Sequence, residues 1–133
     1  LKEIKMLARY DNVYAGLGRI LLGLYFVVPG ISKIVGYAGT LALMQTKGVP
    51  LAELLLPVTI VMQVGLGALL MFKQQVRISA LLLFGLTIII NLYMHNFWDL
   101  AGDPGQAHET QNFMKNLAIA AGLLVLAGRS QKA

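Results

Sequence analysis

The sequence predicts an all-α polytopic membrane protein: one domain over residues 1–133, folded as a four-transmembrane-helix bundle with both termini cytoplasmic. Three observations predict it. Of the 133 residues, 57% are hydrophobic and only 13% are charged, about half the charged fraction of a soluble globular domain. Apolar runs near the length that crosses the hydrocarbon of a bilayer occur four times, separated by short polar breaks. The basic residues also cluster on one side of the pattern these breaks define.

The first run, about 13–31, follows Lys2, Lys5, Arg9 and Asp11 and is expected to stop at Pro29-Gly30, where a helix loosens. No cleavage pattern follows Val27-Val28-Pro29-Gly30, so a cleaved signal peptide is not expected. The preceding residues place Leu1, Ile4 and Leu7 on one helical face, as in a short helix lying at the membrane interface. Between the first and second runs, Tyr37 to Met44 is apolar enough for a short surface helix, and Gly48-Val49-Pro50 redirects the chain.

The second run, about 54–72, carries Pro57 in its expected first turn, where a missing N–H has no helical partner to lose. Lys73, Gln74, Gln75 and Arg77 end it. The third, about 78–97, is the most apolar and ends in Tyr93, Phe97 and Trp98 at the depth of an aromatic belt. After Asp103-Pro104-Gly105 comes the fourth, about 112–127, the shortest and richest in alanine.

With an even number of spans both termini share a side, and Lys2, Lys5, Arg9, Lys73, Arg77, Arg129 and Lys132 gather there. The other side has Lys33, Lys47 and Lys115 with Glu53, Asp99, Asp103 and Glu109. The positive-inside rule makes the first side cytoplasmic.

Composition excludes several functions. The net charge of +5 is spread singly between apolar runs, unlike the basic patch of a nucleic-acid binder. Without cysteine there is no thiol relay, disulfide exchange or thiolate metal site. Two histidines, His95 and the loop residue His108, are a poor ligand set for haem. No carboxylate falls inside a predicted span, as a proton-coupled multidrug transporter would need, and the glycines do not follow a nucleotide-binding pattern.

Six polar side chains fall inside the predicted spans, where each is costly: Arg19, Gln63, Asn91, His95, Lys115 and Asn116. Arg19 accompanies Gly16, Gly23 and Gly30, which repeat every seven residues and mark one face for close helix approach. On that face Arg19 is expected to cap carbonyls or meet lipid phosphate. Gln63, with Gly67 one turn on, is expected to hydrogen-bond across a helix interface and cannot titrate.

Asn91, His95 and Trp98 or Asp99 form a helical stripe near the end of the third run. The fourth begins in the same layer with Asn112, Lys115 and Asn116. A polar rim pocket of Asn91, His95, Asp99, Lys115 and Asn116, walled by Trp98 and Phe113, is therefore expected. It suits either an internal network pinning the two helices or the head of a quinone, the one cofactor the residues suggest, with His95 as proton acceptor. No metal site and no catalytic residue are expected.

The motifs in their order resemble those of the DoxX family of small bacterial membrane proteins. They are Gly18-Arg19-Ile20-Leu21-Leu22-Gly23, Pro29-Gly30-Ile31-Ser32-Lys33-Ile34, Lys47-Gly48-Val49-Pro50, His95-Asn96-Phe97-Trp98 and Asn112 to Ala118. The resemblance implies a four-helix inner-membrane protein, an accessory or scaffold subunit of a quinone-linked redox complex with no catalytic activity of its own. It also leaves open a quinone-binding subunit and, more distantly, a small-solute or lipid carrier. Expected partners are membrane lipids, other membrane subunits or further copies of the chain. Many members carry a glutamate in span two where this chain has Gln63, so chemistry resting on that carboxylate would not carry over.

Overall fold

A computed structural model describes residues 1–130; Lys132, used in the orientation argument, lies outside them. Among the described residues the chain is helical with no strands. The helices are α1 (Lys2–Ala8), α2 (Asp11–Val35), α3 (Tyr37–Thr46), α4 (Ala52–Met71), α5 (Val76–Met94) and α6 (Gln106–Arg129). A 3₁₀ turn, Phe97–Leu100, lies between the last two. Three of the helices are long and apolar enough to cross a membrane: α2, α4 and α5 with its 3₁₀ extension. The 24-residue α6 is as long but more polar, because Asn112, Lys115 and Asn116 interrupt its first half.

The exposed α1 is a separate short helix that buries nothing. In α2 the helix runs through Pro29 to Val35 instead of stopping at Pro29-Gly30. Proline removes one backbone donor, but Gly30 seats against Gln63 and Val64 of α4 and holds the next turns in line. Those extra turns carry Lys33.

α4 starts at Ala52, after Gly48 and Leu51 turn the chain in left-handed conformations. Pro57 consequently sits in the second turn. Midway, Met62–Leu66 form a π-helical segment, which no sequence signal announced. The tight turn to α5 places Lys73 and Gln75 at positive φ. α5 ends at Met94, three residues earlier than expected, and α6 begins at Gln106, six residues earlier.

α2 crosses α4 where two glycines meet. A Cβ on Gly23 would stand 2.6 Å from the Gly67 carbonyl oxygen, and one on Gly67 would stand 2.9 Å from that of Gly23. Only bare backbones fit there, so van der Waals contact replaces the hydrophobic drive that lipid cannot supply. Gly16, the third of the heptad set, faces no other helix, and its only neighbour is the Arg19 guanidinium. A straight helix drifts about 20° per heptad, enough to carry Gly16 off the crossing.

α5 and α6 pack along their length, and α2 lies against α4. Phe26, Leu70, Leu83, Leu86 and Leu123 form the central core, while Met44, Ala52, Leu56 and Ile60 form a smaller one under α3. Outside these clusters, long apolar side chains such as Leu21, Val61 and Val125 point outward, as lipid-facing residues do.

The bundle has two distinct ends. At the first, Arg19 Nη1 donates to the Leu70 carbonyl at 2.6 Å and the Met71 carbonyl at 3.0 Å. There Arg77 Nε donates to the Ala127 carbonyl at 3.2 Å, and its Nη2 donates to the Ser130 carbonyl. Each arginine thus adds a charged donor to carbonyls at the end of α4 or α6, where Leu70 also accepts from the Lys73 N–H and Ala127 from the Ser130 N–H, and offsets the negative end of the helix dipole. The start of α2 and the end of α6 share this end of the bundle.

Candidate functional site at the far rim

At the opposite end the loops bring together Lys47 after α3, His95 and Asn96 after α5, and Glu109 and Asn112 in the first turns of α6. Glu109 is the hub. Its Oε2 lies 3.3 Å from His95 Nδ1 and 3.9 Å from Lys47 Nζ, and its Oε1 accepts from Asn112 Nδ2 at 3.0 Å. Lys47 also donates to Asn96 Oδ1 at 3.3 Å, and Asn96 Nδ2 donates to Asp99 Oδ2 at 3.0 Å.

Partial burial of Glu109 works against its ionisation. Hydrogen bonds from Asn112 and His95 and the charges of His95 and Lys47 outweigh this and hold the carboxyl below its ordinary range. The site is a preformed anion cradle that its own glutamate fills. Beside it Phe97, Trp98 and Phe113 stack edge to face with centroids 5.2 to 5.7 Å apart. Gln106 Nε2 ties the start of α6 to the Phe97 carbonyl at 3.2 Å.

The predicted pocket forms only in part. His95 closes α5 as its C-cap, so it leaves the helical stripe of Asn91, and Trp98 and Asp99 belong to the 3₁₀ turn and are exposed. Asn91 is buried and donates to the Phe113 carbonyl at 3.0 Å, pinning α5 to α6, while its Oδ1 has no partner among the described residues. Asn116 turns to α2, where Tyr25 Oη donates to its Oδ1 at 2.6 Å. Lys115 points outward beside Gln111 and Ala118 and makes no ion pair or hydrogen bond among the described residues.

A quinone head needs donors that converge on its carbonyls. Here His95 faces Glu109, Asn116 faces Tyr25 and Lys115 faces outward. The rim set does not fit such a head.

Lys47, Glu109 and Tyr25 were missed as site residues. Glu109 precedes the expected start of the fourth run, yet Gly105 before it and its own place as an acid in the first turn mark a helix start. Nothing local foretold that Lys47 would arrive from sixty residues upstream.

Within the bundle, Gln63 sits in the π segment of α4, buried, with its Oε1 without a partner among the described residues. Its Cβ contacts the Gly30 position, so packing rather than a hydrogen bond fixes it between α2 and α4. Arg19, Gly23, Gly30 and Gly67 all lie in that same interface.

Comparison with known proteins agrees with this architecture. The inner membrane protein YqjF of Escherichia coli (strain K12) is 33% identical over 119 residues, covering 90% of this chain and 85% of the relative. The inner membrane protein YphA of the same organism is 32% identical over 111 residues, covering 84% and 79%. No solved structure matches the chain. The DoxX family model matches residues 15–96, from the start of α2 through α5 to the rim histidine. With its apolar helices and inner-membrane relatives, the chain belongs to the DoxX family and is an integral, multi-pass inner-membrane protein.

Proposed function

We propose that the chain is a non-catalytic accessory subunit that docks, through the outward face of α6, onto another membrane subunit of a quinone-linked redox complex. In this reading α6 is a fourth span, and the termini and the Lys73–Arg77 turn face the cytoplasm. Its antiparallel packing along α5 and the excess of basic residues at the arginine end support both points.

One observation carries the docking reading: Lys115 stands exposed on α6, about 5 Å inside the expected start of the fourth span at Asn112 at 1.5 Å per residue, with no partner among the described residues. An ammonium facing lipid is costly. Ala118 and Ala121 on the same outward side let a second helix approach. The occupant this chemistry fits is a membrane helix bearing a carboxylate. The rim offers a catalytic partner little, because its acid, base and lysine already engage one another.

Affinity purification in mild detergent, followed by mass spectrometry, tests the reading. Wild type is expected to retain a membrane oxidoreductase subunit that Lys115→Glu loses at unchanged expression. Protein that purifies only as a monomer with no membrane partner, or a Lys115→Glu variant that keeps the same partner, overturns it.

A further inference from the structure

The far end holds a second feature, independent of the rim network. Beside α3, helices α4 and α5 enclose a cavity of about 480 Å³ that is open to the bundle surface along Leu81, Leu82 and Ile89, within the 300 to 1,000 Å³ of ordinary ligand pockets. Its walls are almost wholly apolar, with Leu56, Met62, Leu86, Ile89 and Met94 among them. Gly85 opens the α5 wall: a Cβ placed there would meet nothing within 4 Å.

Among the described residues the one charged group lining the cavity is Lys33, from the turns that α2 adds beyond Pro29. It is partly buried and has no carboxylate within ion-pair distance and no hydrogen-bond acceptor among the described residues. The acids of this side, Glu53, Asp99, Asp103 and Glu109, are each engaged by other donors, Asp103 by the Gly105 N–H. Glu53 accepts from Gln45, Glu109 is surrounded by Lys47, His95 and Asn112, and Asp99 accepts from Asn96. Lys47 shows how this chain treats a cation it intends to neutralise internally. Lys33 has been left an oxygen-rich anion short, at the mouth of a space shaped for hydrocarbon.

We infer that this cavity binds one chain of an anionic amphiphile, with the oxyanion head on the Lys33 ammonium and the hydrocarbon between α4 and α5 along Gly85. Charge complementarity selects the head, and the apolar walls select the tail. Thr40 and Tyr93, which also line the space, supply hydroxyl donors for further head oxygens. A fatty-acid carboxylate and the phosphate of an anionic phospholipid share this chemistry.

Native mass spectrometry of the purified, delipidated protein tests the inference, using palmitate, phosphatidylglycerol, phosphatidylcholine and a neutral short-chain quinone as separate probes. One equivalent of palmitate or phosphatidylglycerol is expected to be retained. Retention of palmitate identifies a free acid as the source, and retention of phosphatidylglycerol alone identifies a membrane lipid.

Lys33→Gln is expected to weaken retention about tenfold, the scale on which loss of one charge-assisted contact is felt. Gly85→Leu fills the space and is expected to abolish retention while leaving the melting temperature equal or higher, since leucine outranks glycine in a helix. Equal retention of phosphatidylcholine or the quinone overturns the inference, as does unchanged binding by Lys33→Gln or by a folded Gly85→Leu.

Discussion

The two ends of this bundle are closed by different chemistry. At the end where α2 begins and α6 stops, Arg19 and Arg77 reach across to the last carbonyls of α4 and α6. At the far end, side chains meet side chains around Glu109. Guanidinium on backbone carbonyl stays charged at any physiological pH and needs only that the helices end where they do. A cluster of side chains gathered around a carboxylate holds only while Glu109 is ionised. The first end is a fixed clasp, and the second is a conditional one.

Three substitutions sharpen or break that contrast. The largest effect is expected at the crossing that brings Arg19 to its carbonyls. Gly23→Leu must push a side chain into the Gly67 carbonyl and the Met71 side chain, and overpacking of this kind costs about 1 to 3 kcal/mol or more. Thermal unfolding in detergent reads the loss. A melting temperature within a degree of wild type would show that the crossing does not order the bundle.

Next comes Arg19→Ala, which removes a charged donor from the Leu70 and Met71 carbonyls, the first of which keeps the Lys73 N–H. Hydrogen bonds from a charged group contribute about 1.5 to 3 kcal/mol, and partial exposure of Arg19 points to the lower part of that range. The loss is expected to be the same at pH 5 and pH 8. A loss that varies with pH would erase the distinction between the ends.

The smallest effect, about 1 kcal/mol as for a partly exposed ion pair, is expected from Glu109→Gln at neutral pH. Here the pH dependence is informative. Because the folded carboxyl is held below its ordinary range, its contribution is present above the usual carboxylate pKa of about 4.3. It is lost as pH falls through the lower folded value. Wild type is expected to lose stability over that acid window and Glu109→Gln to lose less. Parallel acid titrations of the two proteins would contradict the role given to Glu109.

The apolar runs made the helices legible, and their errors lie at the ends. Pro29 was read as a stop because local propensity forbids a proline inside a helix. Tertiary contact at Gly30 overruled it. The π segment at Met62–Leu66 was invisible because one additional residue per turn leaves an apolar run apolar. Arg19, Gly23, Gly30, Gln63 and Gly67 could be grouped from spacing alone, since they lie on two regular faces.

The rim was half legible. Asn91 and Asn116 lie near its layer but serve neighbouring helices, whereas Lys47 and Glu109 meet only because loops close. Spacing within a helix says nothing about a partner sixty residues away.

The buried polar side chains of the bundle are Thr59, Gln63, Ser79, Thr87, Asn91 and Asn116, among the described residues. All are hydroxyls or amides, and no ionisable group is fully enclosed with them. A transmembrane voltage acts on a protein in proportion to the charge it can move, about 2.3 kcal/mol per elementary charge per 100 mV. Those enclosed side chains give that voltage nothing to pull on, and the charges it can act on are the cations Arg19, Lys33 and Lys115 of α2 and α6. In electrical terms the core is an insulator, and any response to the energised state of the membrane is expected to run through those three cations.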